Sequence, residues 1–105
     1  MSEIDVQTLK KWRDEHTEHQ LIDVREPWEV EIGKINGLHI PMDSFLDSID
    51  KINTDIPVVI HCRSGSRSAA VAHHLTKQLG YENIHNLIGG IQAWSNEIDS
   101  NIEVA

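Results

Sequence analysis

The feature that most limits the fold is a series of short apolar runs spaced along the chain. "QLIDV" (20 to 24), "GLHIP" (37 to 41), "VVIH" (58 to 61) and "NIHNLIGG" (83 to 90) recur in turn. Each is too short for a helix, and most lack polar alternation, so they read as strands buried on both faces. Between them lie stretches with helical spacing. "EIDVQTLKKWRDEH" starts extended and continues as an amphipathic helix, with Asp5 as N-cap and Val6, Leu9 and Trp12/Arg13 along one stripe. "EPWEVEIG" (26 to 33) has Pro27 near its start and Gly33 after its end, the usual helix asymmetry. "DSFLDSIDKI" (43 to 52) puts Phe45 or Leu46, Ile49 and Ile52 on one helical face. Residues 66 to 79 form the clearest helix, with Ala69, Ala72, Leu75 and Leu79 sharing a face and Gly80 ready to end it. "IQAWSNEI" (91 to 98) is the last helical stretch, before a tail expected to fray. Strand alternating with helix predicts an α/β fold, a parallel sheet with helices on both faces.

Composition narrows the class. The 105 residues fit one domain, spanning 1–105. With 39% hydrophobic and 25% charged residues, the chain reads as globular rather than disordered. A formal charge of -8 argues against binding nucleic acid or an anionic membrane. No segment is apolar enough to span a bilayer, and the N-terminus lacks an export pattern. Cys62 is the only cysteine, so no internal disulfide forms; a reducing compartment, most simply the cytoplasm, is expected. The histidines are scattered without the spacing of a metal site, and the adjacent His73 and His74 point apart on their helix, so no metal is expected.

The chemistry concentrates in "CRSGSRS", residues 62 to 68. It falls where "VVIH" gives way to a helix, at the carboxyl edge of the sheet, where ligands of such folds sit. A thiol is a nucleophile only as thiolate. A following helix N-terminus favours an anion there. Gly65 lets successive N–H groups turn toward one point. Arg63 and Arg67 add permanent charge and forked donors. Ser64, Ser66 and Ser68 add hydroxyls, and Ser66 or Ser68 is placed to cap the helix. A lone cysteine at a strand end is usually a small hydrophobe. That accounts for Cys62 but not for two arginines flanking Gly65. The spacing also separates chemistries. Cysteine phosphatases place arginine after five intervening residues; here Ser68 holds that register, and Arg67 follows Cys62 after four. The shorter ring leaves less room for phosphate.

"CRSGSRS" resembles the active-site loop of the rhodanese family of sulfurtransferases. "LIDVREPWEVEIGKINGLHIPM" (21 to 42) is similar to that family's strand–helix–strand signature, and "LIGGIQAW" (87 to 94) to its closing motif. The resemblance implies a five-stranded parallel sheet flanked by helices. It implies a Cys62 persulfide, formed from a donor such as thiosulfate and discharged to cyanide or a thiol, such as one on a thioredoxin-like protein, without metal or cofactor. Arg63, Ser64, Gly65, Ser66, Arg67 and Ser68 would bind the donor. One alternative is a non-catalytic sulfur carrier or binding module; another is a cysteine phosphatase or arsenate reductase, for which the loop is too short and further thiols are missing.

Other residues admit two readings each. Asp23 and Arg25, in "DVRE", lie at the same sheet edge and could shape the site; a structural ion pair is the simpler expectation. Trp28 and Trp94 are expected to pack between elements rather than anchor a partner. His61 could act as a base toward Cys62, but neighbours on a strand face opposite sides, so packing is expected. Lys34 stands where the family often has histidine.

Overall fold

A computed structural model describes residues 1–105. The elements in order are β1 (Ser2–Ile4), α1 (Val6–Asp14), β2 (Gln20–Asp23), α2 (Pro27–Ile32), β3 (Leu38–His39), a 3₁₀ segment (Met42–Lys51), β4 (Val58–His61), α3 (Ser66–Lys77), β5 (Ile84–Leu87) and α4 (Gly90–Glu97). The five strands form one sheet in the order β1-β5-β4-β2-β3. Every pairing is parallel, as the alternation of strand and helix requires. The extended start joins the sheet as its edge strand, with Ile4 opposite Leu87.

The two faces carry separate cores. Ile22, Ile60 and Ile84 pack with Val71, Ala72 and Leu75 of α3, against Phe45 and Ile49 of the 3₁₀ segment. Leu21, Val59 and Leu87 point the other way, onto Val6 and Leu9 of α1 and Ile91 and Trp94 of α4. Because both faces are covered, the strands need no polar alternation. Asp5 caps α1 as expected, accepting the Thr8 N–H at 2.8 Å. Gly80, at φ +76°, turns the chain so that the Tyr81 N–H reaches the Leu75 carbonyl at 3.1 Å.

Several expectations change. Residues 43 to 52 do not form a regular α-helix: the 3₁₀ segment is interrupted at Ser48, and Phe45, not Leu46, meets the core. The buried stripe of α3 is Ser68, Val71, Ala72 and Leu75; Ala69 sits off it, and Leu79 lies beyond the helix and is exposed. The stripe is rotated because Ser68 turns inward toward the thiol. Trp94 packs as expected, but Trp28 is 59% exposed. The tail is held rather than frayed. Ile102 and Val104 pack on the α1–α4 core, and Ser95 Oγ donates to the Ile102 carbonyl at 2.8 Å.

Candidate active site

The strand order sets the place of the site. From β2 the chain crosses to β3 on one side, and from β4 to β5 on the other. The loops leaving adjacent β2 and β4 therefore diverge, opening a crevice beyond their carboxyl ends. Cys62 follows β4 directly; Arg25 and α2 follow β2.

The loop curls around the sulfur. Gly65, at φ +112°, takes a conformation that disfavours side chains, and it is the N-cap of α3. Neither Ser66 nor Ser68 caps that helix; Ser66 is exposed, and Ser68 is fully buried. The Gly65 N–H donates to Cys62 Sγ at 3.1 Å. Ser68 Oγ lies 3.4 Å from the same sulfur and 3.1 Å from the Gly65 carbonyl. One hydroxyl proton serves one acceptor at a time, and a thiolate is the stronger acceptor of the two. Burial pushes the Cys62 thiol up, but the Ser68 hydroxyl and the N–H groups of Ser68, Gly65 and Ser64 outweigh it, and the thiol lies below its ordinary value. Ser68→Ala should therefore move the pH profile of Cys62 alkylation by iodoacetamide to higher pH. An unmoved profile would remove Ser68 from thiolate stabilisation.

Three further elements hold the loop from outside. The first amides of α4 pin its carbonyls: the Ile91 N–H donates to Cys62 O and the Gln92 N–H to Arg63 O, each at 3.0 Å. This close approach needs Gly90, where a Cβ would lie 2.4 Å from Cys62 O and 2.6 Å from Arg63 O. With their carbonyls drawn to α4, the loop peptides can turn N–H groups toward the sulfur. From β5, Asn86 Nδ2 donates to the Gly65 carbonyl at 3.2 Å.

The third element is α2. Arg67 Nη1 and Nη2 donate to Glu29 Oε1 and Oε2 at 2.6 and 2.9 Å. This forked pair holds the Glu29 carboxyl down to about 2. Glu29 Oε1 also accepts the Glu26 N–H at 3.0 Å, closing the first turn of α2. Asp23 and Arg25 do form the structural pair. Arg25 is fully buried and Asp23 is 2% exposed. Arg25 Nε and Nη2 meet the Asp23 carboxylate at 3.0 and 2.7 Å, while Nη2 also reaches the Gly33 carbonyl at 2.8 Å. A cation at the end of α2 thus fixes the helix that presents Glu29. Burial raises the Asp23 carboxyl, but its bonds to Arg25 and the neighbouring His61 together outweigh it and leave it lowered.

His61 is fully buried, with Nδ1 3.3 Å from Cys62 O and Nε2 3.7 Å from Asp23 Oδ2. It faces the carboxylate rather than the sulfur, and burial lowers its pKa. Arg63 is exposed, and its Nε donates to Ala105 O at 2.6 Å. Glu29, Asn86 and Gly90 escaped the sequence reading. "EPWE" did carry a signal, a carboxylate three residues after a helix start.

The fold and the loop together define a class: an α/β protein presenting a cysteine sulfur in a ring of main-chain donors at the switch point of a parallel sheet. The chain belongs to the rhodanese-like domain family, whose sequence pattern matches residues 5–97. It is 40% identical over 81% of its length to the Rhodanese-like/PpiC domain-containing protein 12 of Arabidopsis thaliana, of which it spans only 30%. It is 38% identical over 90% of its length to a sulfurtransferase of Allochromatium vinosum, covering 89% of that protein. Its structure matches the rhodanese-related protein of Thermoplasma volcanium with a TM-score of 0.82 and 32% identity, over 93% of this chain and 94% of that one.

Proposed function

We propose that the domain, residues 1–105, is a rhodanese-type sulfurtransferase that carries sulfane sulfur on Cys62. The observation that carries this reading is the contact of Cys62 Sγ with the Gly65 N–H at 3.1 Å, inside a loop whose donors lower the thiol's pKa. The Cys62 thiolate attacks the outer sulfur of a donor such as thiosulfate. The donor's S–S bond breaks, and sulfite leaves with the bonding pair. A persulfide anion remains on Cys62, facing the N–H groups of Ser64, Gly65 and Ser68. A thiolate or cyanide then takes the outer sulfur, and the Cys62 thiolate departs. Two displacements replace one difficult transfer, and ping-pong kinetics follow. Neither step calls for a metal or an organic cofactor. Arg63 and Ser66, at the rim of the loop, would meet the incoming anion, and Arg67 would hold the loop in shape. A thioredoxin-like protein is a suitable acceptor, and the cytoplasm a suitable setting for the free thiol.

The test is intact mass of the reduced protein after thiosulfate, after an organic hydropersulfide, and again after cyanide. Gain of one sulfur atom, lost to cyanide, is expected. A protein that stays unmodified with both donors would point instead to a binding module that keeps the loop without its chemistry.

A further inference from the structure

The second arginine of the loop, Arg67, is already paired. Both Arg67 Nη groups face the Glu29 carboxylate, at 2.6 and 2.9 Å. Glu29 is 4% exposed, while the Arg67 side chain is 34% exposed, so the pair is anchored in protein on the carboxylate side and open to water on the other. The same carboxylate closes the first turn of α2, accepting the Glu26 N–H at 3.0 Å, so one buried group serves both the helix and Arg67. Arg67 feels the Cys62 charge, so what neutralises Arg67 also changes the field at the sulfur. Arg63 is displaced to the rim, where it donates to Ala105 O. A dianion approaching Cys62 therefore meets an arginine whose charge is cancelled and whose fork is occupied.

We propose that Glu29 is a specificity-determining residue: by neutralising Arg67 it removes the advantage of a multiply charged sulfur donor and favours donors of lower charge, such as an organic hydropersulfide. The choice of donor rests on the sulfur-transfer reading; the charge assignment at Cys62 does not. With R–S–SH, the Cys62 thiolate attacks the outer sulfur and the S–S bond breaks. R–S⁻ leaves with the bonding pair, and Cys62–S–SH remains. Thiosulfate instead brings two negative charges to a site where Glu29 offsets Arg67 and only Arg63, at the rim, is left to face the thiolate and the donor.

The test compares alkylation of Cys62 by anionic iodoacetate and by neutral iodoacetamide, each displacing iodide. The ratio of the two rates cancels the thiolate fraction and needs no sulfur transfer. Glu29→Gln should raise the iodoacetate-to-iodoacetamide ratio on the order of five-fold at low salt, as expected for one unmasked charge near the sulfur. The double variant Glu29→Gln/Arg67→Gln, with the charges balanced again, should return the ratio to near that of the unaltered protein. In parallel, Glu29→Gln should gain more in kcat/KM for thiosulfate than for glutathione hydropersulfide; a purely structural role would alter both donors alike. An unchanged alkylation ratio in folded Glu29→Gln overturns the proposal. So does an unaltered protein that strongly prefers iodoacetate at low salt and loses that preference as salt rises, a measurement that needs no variant. A shifted ratio without sulfur loading by either donor would count against sulfur transfer while upholding the charge assignment.

Discussion

Cys62→Ser is expected to abolish sulfur loading and to reduce thiosulfate–cyanide turnover by more than about 10³-fold, with the fold intact. Serine preserves the size and position of the side chain, so the N–H groups of the loop keep an acceptor. Cys62 is 1% exposed and packs with Ile60 and Val71, and a hydroxyl there retains most of those contacts. What is lost is the chemistry. A serine hydroxyl stays protonated where the cysteine ionises, and oxygen cannot store a sulfane sulfur as a persulfide stores it. Intact mass and a thermal melt on the same sample separate the two effects. Sulfur gain in the variant, or retained turnover, would place the nucleophile elsewhere.

Arg25→Met is expected to cost about 3–5 kcal/mol of stability, because it leaves the Asp23 carboxylate buried with its main partner gone. It also strips the Gly33 carbonyl of its donor at 2.8 Å. For a chain of this size the melting temperature should fall by more than about 10 °C. The pairing predicts its own rescue. Adding Asp23→Val to Arg25→Met removes the stranded charge and should recover a large part of the loss. Chemical denaturation of the two single variants and the double variant measures this coupling. A near-additive cycle would show that Asp23 and Arg25 stabilise the fold independently. Because Arg25 anchors the helix that carries Glu29, residual activity should fall before the protein unfolds.

The sheet was legible because burial on both faces leaves a plain mark, the unbroken runs at Leu21–Ile22 and Val58–Ile60. The 3₁₀ segment was not: Phe45, Ile49 and Ile52 have helical spacing, but apolar periodicity does not register the break at Ser48. Trp28 was misplaced for a related reason. On the short helix α2, Glu29 takes the inward side, with Arg25 buried just ahead of it, and the large apolar ring is left facing out. Within the site, local pattern was enough for Cys62 and Gly65, since a thiol before a glycine turn and a helix is a contiguous signal. The partners that shape the loop come from elsewhere in the chain. Glu29 meets Arg67 across 38 residues, and Asn86 meets Gly65 across 21. No local spacing encodes such a meeting; it follows only from the strand order that brings β2, β4 and β5 together.

The pinning of Cys62 O and Arg63 O by the first amides of α4 bears on how the protein is made. A ribosome delivers the cysteine well before it delivers "GGIQAW". Until that last helix docks, the loop carbonyls lack these two partners and the ring of donors is not braced. The nascent thiol is then an ordinary one, largely protonated and slow to react. The braced loop thus forms only after the residues of α4 have been made.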